Sequence, residues 1–285
     1  MGFSGWCDEL SKRFQQSLAT RPHHSDYNVG KLEYEFRSTS DFKTFETVVQ
    51  AMNVEFDFAD DVALVTGASG ALGSAVCATF ADVGATVCAT DVVEPDEDAL
   101  PNGDRIQFYQ ADFTDESEVE SVLDDIVADH GGIDYLANIA GTWKGGSPVE
   151  DTDADTFDLL FDVNLKTAFL ASKHALPHLR DREGAIVSVS ARSSLEGGEG
   201  DALYRASKAG VRLLTESIAE ENAGVVRANS VMPSVIDTPA NREMMPDANH
   251  DKWVSPADIA EVICVLCSDA TTVTSGAAVP VYGEA

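Results

Sequence analysis

Short unbroken apolar runs alternate along this chain with segments whose apolar positions recur at helical spacing. The first run is Val62-Ala63-Leu64-Val65, and a helical pattern from Leu72 to Phe80 follows it. Further strand-like runs fall at Ala85–Ala89, Arg105–Gln110, Ile133–Ala137, Ala185–Val189, Val225–Val231 and Ala277–Tyr282. Between them lie helical patterns. Glu116–His130 is apolar at Val119, Val122, Leu123, Ile126 and Val127, Ala154–Leu179 is long, and Ala202–Asn222 follows a glycine-rich loop. Ser255-Pro256-Ala257-Asp258 has the form of a helix start, with an N-cap serine, a proline in the first turn and an acid three residues after the cap. Alternation of this kind predicts a single α/β domain. Right-handed crossovers would build a doubly wound parallel sheet covered by helices on both faces.

The junction after the first run carries chemistry. In Thr66-Gly67-Ala68-Ser69-Gly70-Ala71-Leu72-Gly73, a strand leads into a glycine turn and a helix leads out. Glycines let the backbone turn tightly and approach a pyrophosphate, and the helix start presents N–H groups to the anion. The second strand-like run is followed by Asp91, where an acid can bind both hydroxyls of an adenosine ribose and repel a 2′-phosphate. The fold expected is therefore Rossmann-like, and the expected cofactor is NAD.

Charge narrows the partners. Lys and Arg number 19 against 49 Asp and Glu, a formal net charge of −30. Such a surface repels nucleic acid and anionic membranes and fits a halophilic protein, whose self-repulsion strong salt would screen. The excess of acid falls almost wholly after residue 51. Residues 1–51 are close to neutral, which suggests an N-terminal extension, poorly ordered and dispensable, ahead of Met52. The alternative is a helical appendage. No apolar run has membrane-spanning length and no signal peptide is evident, so a cytoplasmic protein is expected. Cys264-Val-Leu-Cys267 has redox or zinc spacing but sits in an apolar helical pattern, and no histidines stand at ligand spacing. Core packing is the expectation, with no metal.

Tyr204-Arg205-Ala206-Ser207-Lys208 places a phenol and an ammonium on one helix face, where the charge favours phenolate and tunes the tyrosine for acid–base work. With the glycine turn, Asn138-Ile139-Ala140-Gly141 and Asn164, this stretch makes residues 59–285 resemble the short-chain dehydrogenase/reductase family.

The resemblance implies roles. Tyr204 would be the general acid/base, and Lys208 would bind the nicotinamide ribose and depress the tyrosine pKa. Asn164 would hold a water in the proton relay at a helix kink. Gly67, Ser69, Gly70, Leu72 and Gly73 belong to the phosphate turn. Asp112 and Phe113 would border adenine, and Asn138, Ala140 and Gly141 would sit beside the adenosine ribose. Pro233 to Thr238, with the Ile236 backbone, would close over nicotinamide, inside a substrate loop spanning about 234–254. Assembly would be a homodimer or homotetramer through the Ala154–Leu179 and Ala202–Asn222 helices and the last strand.

Three departures stand out. Ala71 replaces the middle glycine of the turn, and Ser234 replaces the glycine after Pro233. The family's catalytic serine position is Ala191, with Ser190 expected to point away and Ser193 tentatively able to face the substrate from the loop. Losing such a hydroxyl costs about 10²–10³ in rate when nothing replaces it. Either Ser193 substitutes or the substrate needs less polarisation.

The function expected is NAD-dependent hydride transfer between nicotinamide and a secondary alcohol or ketone, of 3-oxoacyl or sugar type. One alternative is pteridine reduction, because Ala191 to Gly197 and the Gly145-Gly146 loop look like dihydropteridine reductases. The other is a non-catalytic NAD-binding protein.

Overall fold

The computed structural model describes residues 58–95, 100 and 103–284. The extension expected over residues 1–51 lies outside the described residues.

Among these, β1 (Val62–Thr66), β2 (Thr86–Asp91), β3 (Ile106–Gln110), β4 (Tyr135–Asn138), β5 (Ala185–Val189), β6 (Arg227–Pro233) and β7 (Ala278–Val281) form one sheet. All neighbours pair in parallel, in the order β3-β2-β1-β4-β5-β6-β7. Successive strand residues face opposite sides. In β1, Ala63 and Val65 join Val76, Phe80, Ile259 and Ile263 in one core layer, and Val62 and Leu64 join Val122, Ile126, Ala171 and Ile218 in the other. The first layer is covered by α1 (Ala71–Asp82) and α7 (Pro256–Cys267), and the second by α2 (Glu116–His130), α4 (Thr167–Arg182) and α5 (Ala202–Glu221).

Strand order reverses between β1 and β4. The carboxyl ends of those strands open into a crevice, where open α/β sheets take ligands.

Local chemistry explains the boundaries. Asp115 accepts from the Ser117 and Glu118 amides and starts α2, which stops at Gly131 in the left-handed conformation. Ser255 caps α7 through the Asp258 amide, as its sequence predicts. The single helix expected over Ala154–Leu179 is instead α3 (Ala154–Phe161), a π-helical turn (Asp162–Lys166) and α4. Within the expected 234–254 loop lies a short helix, α6 (Pro239–Met244), with Thr238 as its cap and Pro239 at its start. Cys77, Cys88, Cys264 and Cys267 are buried free thiols whose pKa values burial pushes up. No cluster of potential metal ligands exists among the described residues. Nor is any described helix long and apolar enough to cross a membrane.

Candidate active site

A cleft of about 1380 Å³ lies across the carboxyl ends of the strands. It starts at the glycine turn. Gly67 has φ +67°, and a Cβ there would lie 2.7 Å from Ala140 Cα. A Cβ on Gly73 would lie 2.1 Å from the Gly67 carbonyl oxygen, so the first turn of α1 packs directly on the loop. The start of α1 differs electrostatically from those of α2, α3 and α7. Asp115, Asp153 and Ser255 cap α2, α3 and α7, and each of those helices has an acid in its first turn. Gly70 gives α1 no side-chain cap, and its first turn holds no acid. In so acidic a chain, that leaves the positive end of this dipole open to an anion.

Asp91 ends β2 beside this loop. Its Oδ2 accepts from the Ser69 amide at 3.0 Å and its Oδ1 from the Val92 amide at 2.8 Å. The carboxylate is thereby fixed at the cleft wall, with lone pairs remaining for a ligand. Asp112 accepts from the Thr114 amide and hydroxyl, at 2.8 and 2.7 Å. Asp112 and the buried Phe113 line the cleft at the same end. Thr66 Oγ1 accepts from both the Ile139 and Ala140 amides, at 3.1 and 3.2 Å, and locks the β1 and β4 exits together.

Asn138 and Asn164 stand behind the cleft wall. Asn138 Nδ2 donates to Ser172 Oγ at 3.1 Å and to Ser188 Oγ at 3.2 Å, while its buried Oδ1 has no hydrogen-bond partner. Asn164 sits in the π-helical turn. Its Oδ1 accepts from the Thr142 amide at 2.7 Å, and its Nδ2 donates to the Thr142 carbonyl and to Ser207 Oγ, both at 3.0 Å. The kink expected at Asn164 is this turn, and the side chain is spent on holding the loop after β4. Gly141 brings that loop close to the centre, since a Cβ on it would lie 2.8 Å from Lys208 Nζ.

Tyr204, Lys208 and Ser193 line the cleft together, with Ala140, Gly141, Pro233, Ile236 and Thr238. Lys208 is buried, its Nζ donates to the Val189 carbonyl at 2.9 Å, and burial pushes its pKa down to about 8. Burial, with the nearby Asp201 carboxylate second, pushes the Tyr204 phenol up to about 12. This is opposite in sign to the expectation from helix spacing alone. Spacing put the ammonium beside the phenol; in the structure the ammonium is engaged by Val189, and desolvation of the phenol wins.

Ser190 Oγ donates to the Lys208 carbonyl at 2.8 Å, which ties it to α5, while the residue also lines the cleft. Ala191 and Ser193 both face the cleft. Ser234 donates through its hydroxyl to the Tyr282 carbonyl at 2.8 Å, tying the loop after β6 to the β7 exit. Thr238 is occupied in capping α6, and the Ile236 carbonyl accepts from Asn241 Nδ2 at 2.8 Å. Trp143 and the methionines Met244 and Met245 also line the cleft, while Trp253 packs against His250 with ring centroids 4.4 Å apart. Arg192 lies over the Tyr282 ring at 4.9 Å.

Residues 67–283 match the family profile described as enoyl-(acyl carrier protein) reductase. A curated relative, the 3-oxoacyl-[acyl-carrier-protein] reductase of Thermotoga maritima, is 32% identical over 238 residues, covering 78% of this chain and 96% of the relative. The chain belongs to the short-chain dehydrogenase/reductase family. The cis-4-hydroxycyclohexanecarboxylate dehydrogenase of Sinomonas cyclohexanicum is 34% identical over 240 residues, covering 79% of this chain and 96% of that enzyme. Among solved structures, the ligand-free aldohexose dehydrogenase of Thermoplasma acidophilum aligns with a TM-score of 0.73 at 26% identity, over 80% of this chain and 95% of that one.

As a short-chain dehydrogenase/reductase, the protein is an NAD(P)-dependent oxidoreductase. The glycine loop closed against Ala140, the uncapped α1 and the fixed Asp91 carboxylate are a cradle fitted to a dinucleotide. Sequence reasoning passed over Thr66, Ser207 and Arg205. A threonine ending a strand carries little signal by itself, and the atoms that Thr66 and Ser207 accept from, on Ile139, Ala140 and Asn164, are remote in sequence.

Proposed function

We propose that this chain interconverts a secondary alcohol and a ketone with NAD as cofactor. The observation that carries this reading is the convergence of Tyr204, Lys208 and Ser193 in one cleft with the Asp91 carboxylate and the Gly67–Gly73 loop. Bound nicotinamide supplies or accepts the hydride. Tyr204 holds the proton that passes to or from the substrate oxygen. Lys208, whose ammonium already donates to the Val189 carbonyl, is the charged group available to a ribose hydroxyl and to the phenol. Asn164, in the π-helical turn, holds Thr142 and the Gly141 backbone against that ammonium. Ser193 supplies the carbonyl-polarising hydroxyl in place of the family serine at Ala191. Asp91 selects NAD, since its negative charge beside the loop repels a 2′-phosphate.

The net charge of −30 supports adaptation to strong salt, and the reading is completed by a cytoplasmic setting and a small-molecule substrate. Assembly as a dimer or tetramer through α4, α5 and β7 follows the family likeness.

The test is oxidation of NADH and of NADPH over a panel of ketones at high salt, with 3-oxoacyl, sugar and quinonoid pteridine compounds included. Turnover of a ketone that Tyr204→Phe abolishes would support the reading. Preference for the quinonoid pteridine would move the protein to the alternative suggested by Ala191. Equal use of NADH and NADPH would remove the role given to Asp91.

A further inference from the structure

Arg205, one residue after Tyr204, reaches away from α5 and binds the segment that carries Ser193. Its Nε donates to Asp201 Oδ1 at 2.5 Å, one helical turn back. Its Nη1 lies against three carbonyl oxygens of the preceding loop: Ser193 at 3.5 Å, Glu196 at 3.2 Å and Gly197 at 3.4 Å. Gly198 closes over the guanidinium plane, where a Cβ would lie 2.2 Å from Cζ and 2.3 Å from Nη2. The loop is thus wrapped around one side chain, and that side chain grows from the helix bearing Tyr204 and Lys208. A guanidinium suits this work because its planar fork addresses several acceptors at once, which an ammonium cannot do in the same geometry. Beyond Arg205, the loop has another tie at its far end, where the Gly146 amide donates to the Gly200 carbonyl at 2.7 Å.

The family serine would stand at position 191, next to Ser190, whose amide still donates to the Val231 carbonyl of β6. Ser193 lies two residues further, in a single 3-10 turn (Arg192–Leu195), where no strand pairing fixes it. A hydroxyl that polarises a carbonyl is useful only when held at the right place before reaction.

We propose that Arg205, seated by Gly198, is a positioning residue that holds the Ser193 hydroxyl against the Tyr204 side of the cleft. The proposal rests on the reading of Tyr204 and Ser193 given above.

The test uses the full chain with Arg205→Gln, Gly198→Ala, Ser193→Ala and the Arg205→Gln/Ser193→Ala pair. Two quantities are read: amide hydrogen exchange over residues 191–200, and NADH-driven reduction of 2,3-butanedione at high salt. Arg205→Gln and Gly198→Ala should each speed exchange of that segment ~10-fold or more, leaving the β1–α1 peptide unchanged, whereas Ser193→Ala should not. Each single variant should lower kcat ~100-fold, with KM for NADH within twofold. The pair should fall no further than Ser193→Ala alone, because a displaced hydroxyl and a missing one are equivalent. Unaltered exchange in Arg205→Gln, multiplicative losses of kcat in the pair, or a Ser193→Ala variant as active as the unmutated protein would each overturn the proposal. An unmutated protein inactive on the diketone would count against the reaction proposed. The exchange measurement would then decide the role of Arg205 independently.

Discussion

Lys208 Nζ donates to the Val189 carbonyl at 2.9 Å, and Ser190 Oγ donates to the Lys208 carbonyl at 2.8 Å. Two consecutive residues at the β5 exit therefore hold this lysine at both ends. Burial lowers its pKa from 10.5 to about 8, so the folded protein binds the proton more weakly than the unfolded chain does. Stability from this group consequently rises as pH climbs from about 8 towards 10.5, and the full cost of the buried ammonium is present below that window. A shift of this size corresponds to about 3 kcal/mol, reduced by whatever the Val189 bond contributes. Lys208→Met should stabilise the cofactor-free protein at pH 7 and lose that advantage at pH 10, as read by denaturant titration. An equal effect at both pH values would contradict burial as the cause.

Replacing Tyr204 by Phe removes the only atom of that side chain able to carry a proton. Turnover should fall ~10³-fold or more, with NADH affinity changed little. The binding half is read by fluorescence titration, and a parallel loss of affinity would point to a packing role instead.

Asp91→Ala takes away the acceptor for the Ser69 amide together with the charge beside the loop. NAD affinity should fall ~10-fold or more and the bias against NADP should relax. Calorimetry with both cofactors reads the change, and retention of full NAD preference would exclude the assignment.

Two glycines of one loop should respond differently to the same methyl. At Gly73 a Cβ meets the Gly67 oxygen at 2.1 Å, whereas at Gly70 its nearest contact is an ordinary 3.4 Å. Gly73→Ala should destabilise the fold by about 1–3 kcal/mol and abolish cofactor binding. Gly70→Ala should be mild in both respects, and similar thermal shifts for the two would refute the contact argument.

A chain with net charge −30 should gain thermal stability steeply with added potassium chloride, because screening relieves its self-repulsion. A melting temperature independent of salt between ~0.1 and ~2 M would show that the acidic surface carries no such cost.

Strand and helix order was legible because each element carries its own stop signals. Asp115 and Gly131 bracket α2 at the residues its pattern predicts, and the unbroken apolar run of β1 is buried throughout because its side chains alternate between two core layers. The glycine turn, Asp91, Tyr204 and Lys208 could be found because their spacing encodes their proximity. The π-helical turn could not be read from periodicity, and a kink at Asn164 is expected only through the family likeness. The direction of the Tyr204 pKa was also beyond spacing, because it depends on how deeply the phenol is buried and on which acceptor takes the lysine. The Arg205 contacts escaped for a similar reason. Apart from Asp201, one helical turn back, their acceptors are main-chain oxygens of a loop whose path nothing in its composition specifies.

The two-ended anchoring of Lys208 sets where this scaffold can vary. Helix α5 cannot slide or rotate to suit a new ligand without breaking its ties to Val189 and Ser190. Accommodation then falls to side chains outside α5 that line the cleft, Trp143 and Met244 and Met245 on and after α6. Libraries meant to redirect the enzyme would best be concentrated at those three positions, leaving α5 untouched.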